Sequence, residues 1–153
     1  ADAWARYTER VTARDLMHVE ALRHCPMIIQ VEVPKRLELR VTVVGEQVFA
    51  VAIHSQQNPR TSLDWRRYDD RATRYEQVDL PADLADRCGA WCRAEGLRYS
   101  AFDFVLTPDG RYVFLEVNPN GQYLWLEDLT GAPISAAIAD ELLRPRPLPE
   151  ETR

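Results

Sequence analysis

AFDFVLTPDGRYVFLEVNPNGQ, residues 101–122, decides how this chain is read. Its two apolar runs flank Thr107, Pro108, Asp109 and Gly110, four residues with turn chemistry, so it reads as strand, turn, strand. Side chains alternate across a strand. On the first strand Phe102, Phe104 and Leu106 share one face, and Ala101, Asp103 and Val105 share the other. On the second, Val113, Leu115 and Val117 oppose Tyr112, Phe114, Glu116 and Asn118. Pairing Leu106 with Arg111 sets Asp103 opposite Phe114 and diagonal to Glu116, and diagonal neighbours lie about 7–8 Å apart. Asp103, Glu116 and Asn118 then converge at one end of the hairpin, where Pro119 and Gly121 stop the strand.

Two carboxylates and an amide oxygen, with no lysine close by in sequence, form a hard oxygen donor set. Mg²⁺ suits such donors when substrate phosphates complete its shell. The plainer account is a solvated hairpin face. Acceptors clustered beside a chain break favour a site instead.

Around the hairpin the order is helix, three strands, long loop and helix before it, and a last helix after it. TARDLMHVEALRH reads as a helix with Thr12 as N-cap and Leu16, Val19 and Leu22 turned inward. MIIQVEVP reads as a strand closed by Pro34, and LELRVTVVGEQVFAVAIHS as a hairpin about Gly45 and Glu46. Residues 56–79 are polar, Arg-rich and aperiodic, a long loop. PADLADRCGAWCRAEG reads as a helix with Pro81 at its start and Gly96 at its stop, and PISAAIADELL as a last helix. RPRPLPEETR is a Pro-rich tail expected to be disordered. The order predicts an α+β fold: an antiparallel β-sheet flanked by helices. Residues 1–143 form the folded part and 144–153 the tail.

With 153 residues, 46% of them hydrophobic, the chain can bury one ordinary core. No apolar run approaches a membrane span, and the charged start is no signal peptide. A net charge of −5 argues against a general nucleic-acid binder. Cys25, Cys88 and Cys92 include no Cys-x-x-Cys pair, which argues against zinc and for a reducing cytoplasm. Lys35 is the only lysine among nineteen basic residues. The chain begins without Met and leads directly into sheet, as a piece of a longer protein would.

The stretch 101–122 resembles the metal-binding end of an ATP-grasp ligase, with Asp103 on one strand and Glu116 and Asn118 on the next. GQYLWLEDLTGAPISAAIADELL, QVEVPKRLELRVTVVGEQVFAVAIHSQ and DWR are similar to the microviridin- or graspetide-type subgroup, which matures ribosomally made peptides. The resemblance runs from about residue 7 to residue 143 and implies the carboxy-terminal portion of the ATP-grasp fold. It implies ATP and Mg²⁺ as cofactors and a precursor peptide, with leader and acidic core, as partner. A homodimer is left open.

By the same resemblance, Gln30, Val31, Glu32 and Val33 line an adenine pocket beside Lys35. The sequence departs there: the subgroup usually reads Gln-Glu-Tyr-Val-Pro-Lys where this chain reads QVEVPK. Arg40 matches a phosphate-side arginine. Arg66 matches one near the transferred phosphoryl group and the acceptor. From the residues alone, Arg40 reads more readily as a cross-strand ion pair on an exposed hairpin, and Arg66, Arg67, Arg71 and Arg74 as a solvated charged loop. His54 reads as structural, and Trp4, Trp65, Trp91 and Trp125 as packing residues.

The implied reaction is ATP-dependent joining of a side-chain carboxylate to a hydroxyl or amine through an acyl phosphate. The phosphate-clamping lysines and Gly-rich loop of such ligases have no counterpart here. The isolated chain is therefore expected to be inactive. Alternatives are a ligase adding amino acids to a peptide or protein terminus, a non-catalytic leader-binding module, or a plain interaction domain.

Overall fold

The hairpin about Gly45 forms as the sequence predicts. Strands β1 (Leu37–Val44) and β2 (Gln47–Ile53) pair antiparallel, with Val44 against Gln47. That leaves a two-residue loop, and Gly45 has φ 59°, the positive value such hairpin loops require. This computed structural model describes residues 7–25, 27–67 and 73–144. Trp4, Arg71, the side chain of Arg67 and the tail from 145 onward lie outside the described residues.

A short strand β3 (Tyr75–Gln77), then β4 (Tyr99–Leu106) and β5 (Tyr112–Asn118), complete a five-stranded sheet. Its order is β3-β2-β1-β4-β5, and every pairing is antiparallel. β1 lies at the centre and all eight of its residues are buried. One face carries Leu37, Leu39, Val41 and Val43, packed with Phe102, Phe104 and Leu106 against helix α2 (Ala82–Ala94). α2 presents Leu84, Cys88, Trp91 and Cys92 to it, the spacing of one helical stripe. Full burial of a side chain such as Val41 or Val43 contributes about 1.5–3 kcal/mol.

The opposite face carries Glu38, Arg40, Thr42 and Val44. Helices α3 (Leu124–Thr130) and α4 (Ile134–Leu143) cover part of it through Leu126, Ile134 and Ala137, which pack with Val44 and Val51. The alternation along β1 is thus apolar against mostly polar, yet neither side is solvated. The polar side is where the candidate site lies.

Four expectations are corrected. The expected strand at residues 27–34 does not form; Met27, Ile28, Ile29 and Val31 are exposed, because no neighbouring strand among the described residues pairs with them. Leu16 and Val19 point to solvent: α1 (Ala13–Leu16) and the 3₁₀ turn at Val19–Arg23 bury no residue. Thr12 does cap α1, in a capping box with Asp15. The stretch 56–79 is more than loop, since it holds a 3₁₀ turn at Trp65–Arg67 and strand β3. It is pinned by buried polar groups such as Thr61, whose hydroxyl donates to the Ser55 carbonyl at 2.8 Å. Helix α3, absent from the sequence reading, follows the Asn-Pro-Asn-Gly turn.

The fourth correction concerns register. Leu106 pairs with Tyr112 rather than Arg111, and an irregularity follows between Asp103 and Phe104. Phe104 faces Phe114 but Asp103 faces Glu116, so Leu115 is an extra residue on β5. A bulge of this kind re-aims side chains at a sheet rim. Here it brings Glu116 directly opposite Asp103 instead of diagonal to it.

Candidate functional site

Asp103 sits between two cross-strand neighbours, Arg40 on β1 and Glu116 on β5. Arg40 Nη1 lies 2.8 Å from each Asp103 carboxylate oxygen, and both side chains are largely buried. The sequence shows no cation near Asp103; the sheet supplies one from 63 residues away. Burial pushes the Asp103 carboxyl above the usual carboxylate range. Arg40 opposes that rise, and Glu116 across the ladder adds to it. Two facing carboxylates at one arginine form a site where added positive charge is stabilising. Glu116 and Asn118 are exposed, so the open side of the site is β5.

β5 ends at Asn118, as expected. The Asn118 side-chain oxygen accepts from the Asn120 backbone N–H at 2.8 Å and folds the turn. The turn then curls back over the sheet. Arg40 Nη2 donates to the Gln122 carbonyl at 3.3 Å, and the Tyr99 hydroxyl donates to the Gly121 carbonyl. Gly121 is buried. A Cβ there would meet the Ala101 Cβ at 2.5 Å and Arg40 Nη2 at 2.9 Å. Glycine is needed here for close approach, besides ending the strand.

Arg66 approaches from the loop. It forks onto Asp64, Nε to Oδ1 at 2.8 Å and Nη2 to Oδ2 at 2.9 Å, and Nη2 also reaches the Thr8 hydroxyl at 3.2 Å. Asp64 is buried and also accepts from the backbone N–H groups of Thr8 and Arg66. Burial pushes the Asp64 carboxyl up, but these hydrogen bonds outweigh it and hold the group below its usual range. Asp64, then burial acting against it, then Glu116 and Asp103 set the Arg66 guanidinium, with the net result raised. Arg66 therefore shares the electrostatic field of the carboxylate pair. Reading DWR for its arginine alone misses Asp64; the signal was there, two residues earlier.

The expected adenine-side residues are not brought to this cluster as a group. Gln30 and Val31 are exposed and Val33 is half-buried. Glu32 forks with Arg10 at 2.6 and 2.7 Å on the surface. Lys35 turns inward, 2.6 Å from Glu38 Oε1 and 2.9 Å from the Leu63 carbonyl, so it ties β1 to the loop carrying Arg66. His54 pairs with Glu76 at 2.7 Å, as a structural histidine does. Trp91 packs edge-on against Phe102, and Trp65 stacks on Trp125. Among the described residues no three His, Cys, Asp or Glu side chains cluster, so any cation here takes two carboxylates and other oxygens. Nor is any helix among them long and apolar enough to cross a membrane.

No family model matches the chain, and no curated protein does. Solved structures do. The macrocyclase MdnC of Microcystis aeruginosa MRC, bound with precursor peptide MdnA, is 43% identical with a TM-score of 0.77. The match covers 91% of this chain and 43% of MdnC. A RiPP-associated ATP-grasp ligase of Chryseobacterium gregarium, in complex with ADP and a leader and core peptide, is 34% identical with a TM-score of 0.79, over 89% of this chain and 42% of that one. The ATP-grasp ligase PsnB, complexed with a phosphomimetic variant of minimal precursor, Mg and ADP, shares the fold at 24% identity and a TM-score of 0.69, over 90% and 43%. The chain spans less than half the length of these proteins. Its α+β sheet is that of the ATP-grasp ligases, and in fold and sequence the chain matches a portion of the RiPP-associated ATP-grasp ligases.

Proposed function

We propose that this chain is the carboxy-terminal, nucleotide- and metal-binding part of a longer ATP-dependent ligase that crosslinks side chains of a ribosomally made precursor peptide. The observation that carries the reading is the facing pair Asp103 and Glu116, open on the β5 side and flanked by Arg40 and Arg66. Asp103, Glu116 and Asn118 would hold Mg²⁺, which when bound neutralises phosphate charge and orients the β- and γ-phosphates. The donor chemistry fits: hard oxygens, two of them anionic and facing each other.

The residues of the chain supply position and charge. Arg40 is buried and fixed by Asp103 and the Gln122 carbonyl, and its guanidinium would serve the phosphate side. Arg66 would stabilise the charge that develops on the transferred phosphoryl group and the acceptor. A substrate carboxylate oxygen attacks the γ-phosphorus, the bond to the β-phosphate oxygen breaks, and ADP leaves. A hydroxyl or amine of the same peptide then attacks the acyl phosphate carbon. The carbon–oxygen bond to phosphate breaks, phosphate departs, and the nucleophile loses its proton to give an ester or amide.

Exposed apolar side chains along 27–31 and backbone that pairs with no strand among the described residues are what an adenine ring uses, which supports Gln30, Val31, Glu32 and Val33 as the nucleotide side; Lys35 would stand beside them, turned toward Glu38. Free Cys25, Cys88 and Cys92 fit a cytoplasmic, ATP-rich setting. The test is Asp103→Asn with Glu116→Gln in the full-length ligase. ATP-dependent loss of one water per crosslink from the precursor, followed by mass spectrometry, should slow about 10²–10³-fold. Crosslinking at the wild-type rate would remove the metal assignment.

A further inference from the structure

The stack of Trp65 on Trp125 is packing as the sequence predicts, but its place in the fold gives it more to do. Asp64 orients the Arg66 guanidinium within its own loop; it does not fix that loop against the sheet. Two other contacts do. On one side Lys35, held by Glu38 of β1, donates to the Leu63 carbonyl at 2.9 Å. On the other, the Trp65 ring lies on Trp125 with centroids 5.0 Å apart and planes at 28°. Tyr75 of β3 braces Trp125 edge-on, at 5.6 Å and 77°.

Trp125 lies in the first turn of α3, three residues after Gln122, whose carbonyl is bonded to Arg40. The ring pair therefore links the Arg66 loop to the turn that closes the Arg40–Asp103 cluster. Neither ring is fully exposed, and stacked aromatic pairs stabilise beyond the area they bury.

We infer that Trp65 and Trp125 are positioning residues for Arg66, setting the distance of its guanidinium from the Asp103–Glu116 pair. The inference rests on the reading of Arg66 given above. Misplacing a charge-stabilising group by about 1 Å costs on the order of 10²-fold in rate. In the full-length ligase, Trp125→Ala should lower kcat about 10- to 100-fold with the ATP KM unchanged, and Trp125→Phe should restore most of it. In an Arg66→Ala background the same Trp125→Ala change should cost little more, because the two act through one group. Should Trp125→Ala impair folding, Trp65→Ala, on the loop side of the stack, carries the same expectation.

An arginine-selective dicarbonyl with peptide mapping gives a readout without turnover: Arg66 should be modified severalfold faster in Trp65→Ala and Trp125→Ala than in wild type or Trp125→Phe. Unchanged modification, or tryptophan and arginine effects that add in full, overturns the inference. If Arg66→Ala alone keeps wild-type kcat, the reading of Arg66 fails instead, and the modification rates alone decide the positioning.

Discussion

At Gly121 the side chain that is missing matters most. The residue lies under the turn that follows β5, with Ala101 and the Arg40 guanidinium where a Cβ would go. Neither Ala101, on a central strand, nor Arg40, held by Asp103, is free to yield. Gly121→Ala should lower stability by about 1–3 kcal/mol. The loss would be read as a lower urea midpoint with an unchanged slope; an unchanged midpoint would mean the turn stands clear of the sheet. Residue identities here were legible because strand periodicity puts Asp103, Glu116 and Asn118 on their faces. The geometry between them was not. Nothing in YVFLEVN announces that Leu115 is extra, and nothing near Arg40 announces a partner 63 positions on.

Among the elements, α2 and the two hairpins followed from their patterns, since each is specified by contacts within a few residues. Residues 27–33 did not. Their β-branched, apolar content reads as strand, but a strand is a ladder, and propensity cannot supply the partner. The loop 56–79 misled in the opposite sense: some of its polar residues, Thr61 and Asp64 among them, are buried as hydrogen-bond anchors, which composition reads as solvation. α2 offers a test of the packing on the sheet face opposite the site. Cys88 and Cys92 are buried there while Cys25 is exposed. Burial pushes the Cys88 thiol up to about 11 and raises that of Cys92. At neutral pH a thiol reagent should therefore titrate one fast cysteine per native chain and three after denaturation. Three fast thiols in the native chain would show that α2 does not pack as described.

Over the molecule as a whole, Lys35 ties the Arg66 loop to β1, and Asp64 ties that loop to the segment at Thr8. Its folded carboxyl sits below the ordinary value, so its contribution is complete above about pH 4 and is lost as pH falls further. The gap in urea midpoint between wild type and Asp64→Asn should thus be widest near about pH 6 and shrink toward about pH 3. A gap constant with pH would deny Asp64 that role. The sheet order has one more outcome. Asp103 and Arg40 belong to strands with a neighbour on either side, whereas Glu116 and Asn118 lie on β5, which among the described residues pairs on one side. The proposed site therefore has one half set inside the sheet and the other at its rim. Substitutions on β5 should accordingly disturb the sheet less than substitutions of Arg40 or Asp103.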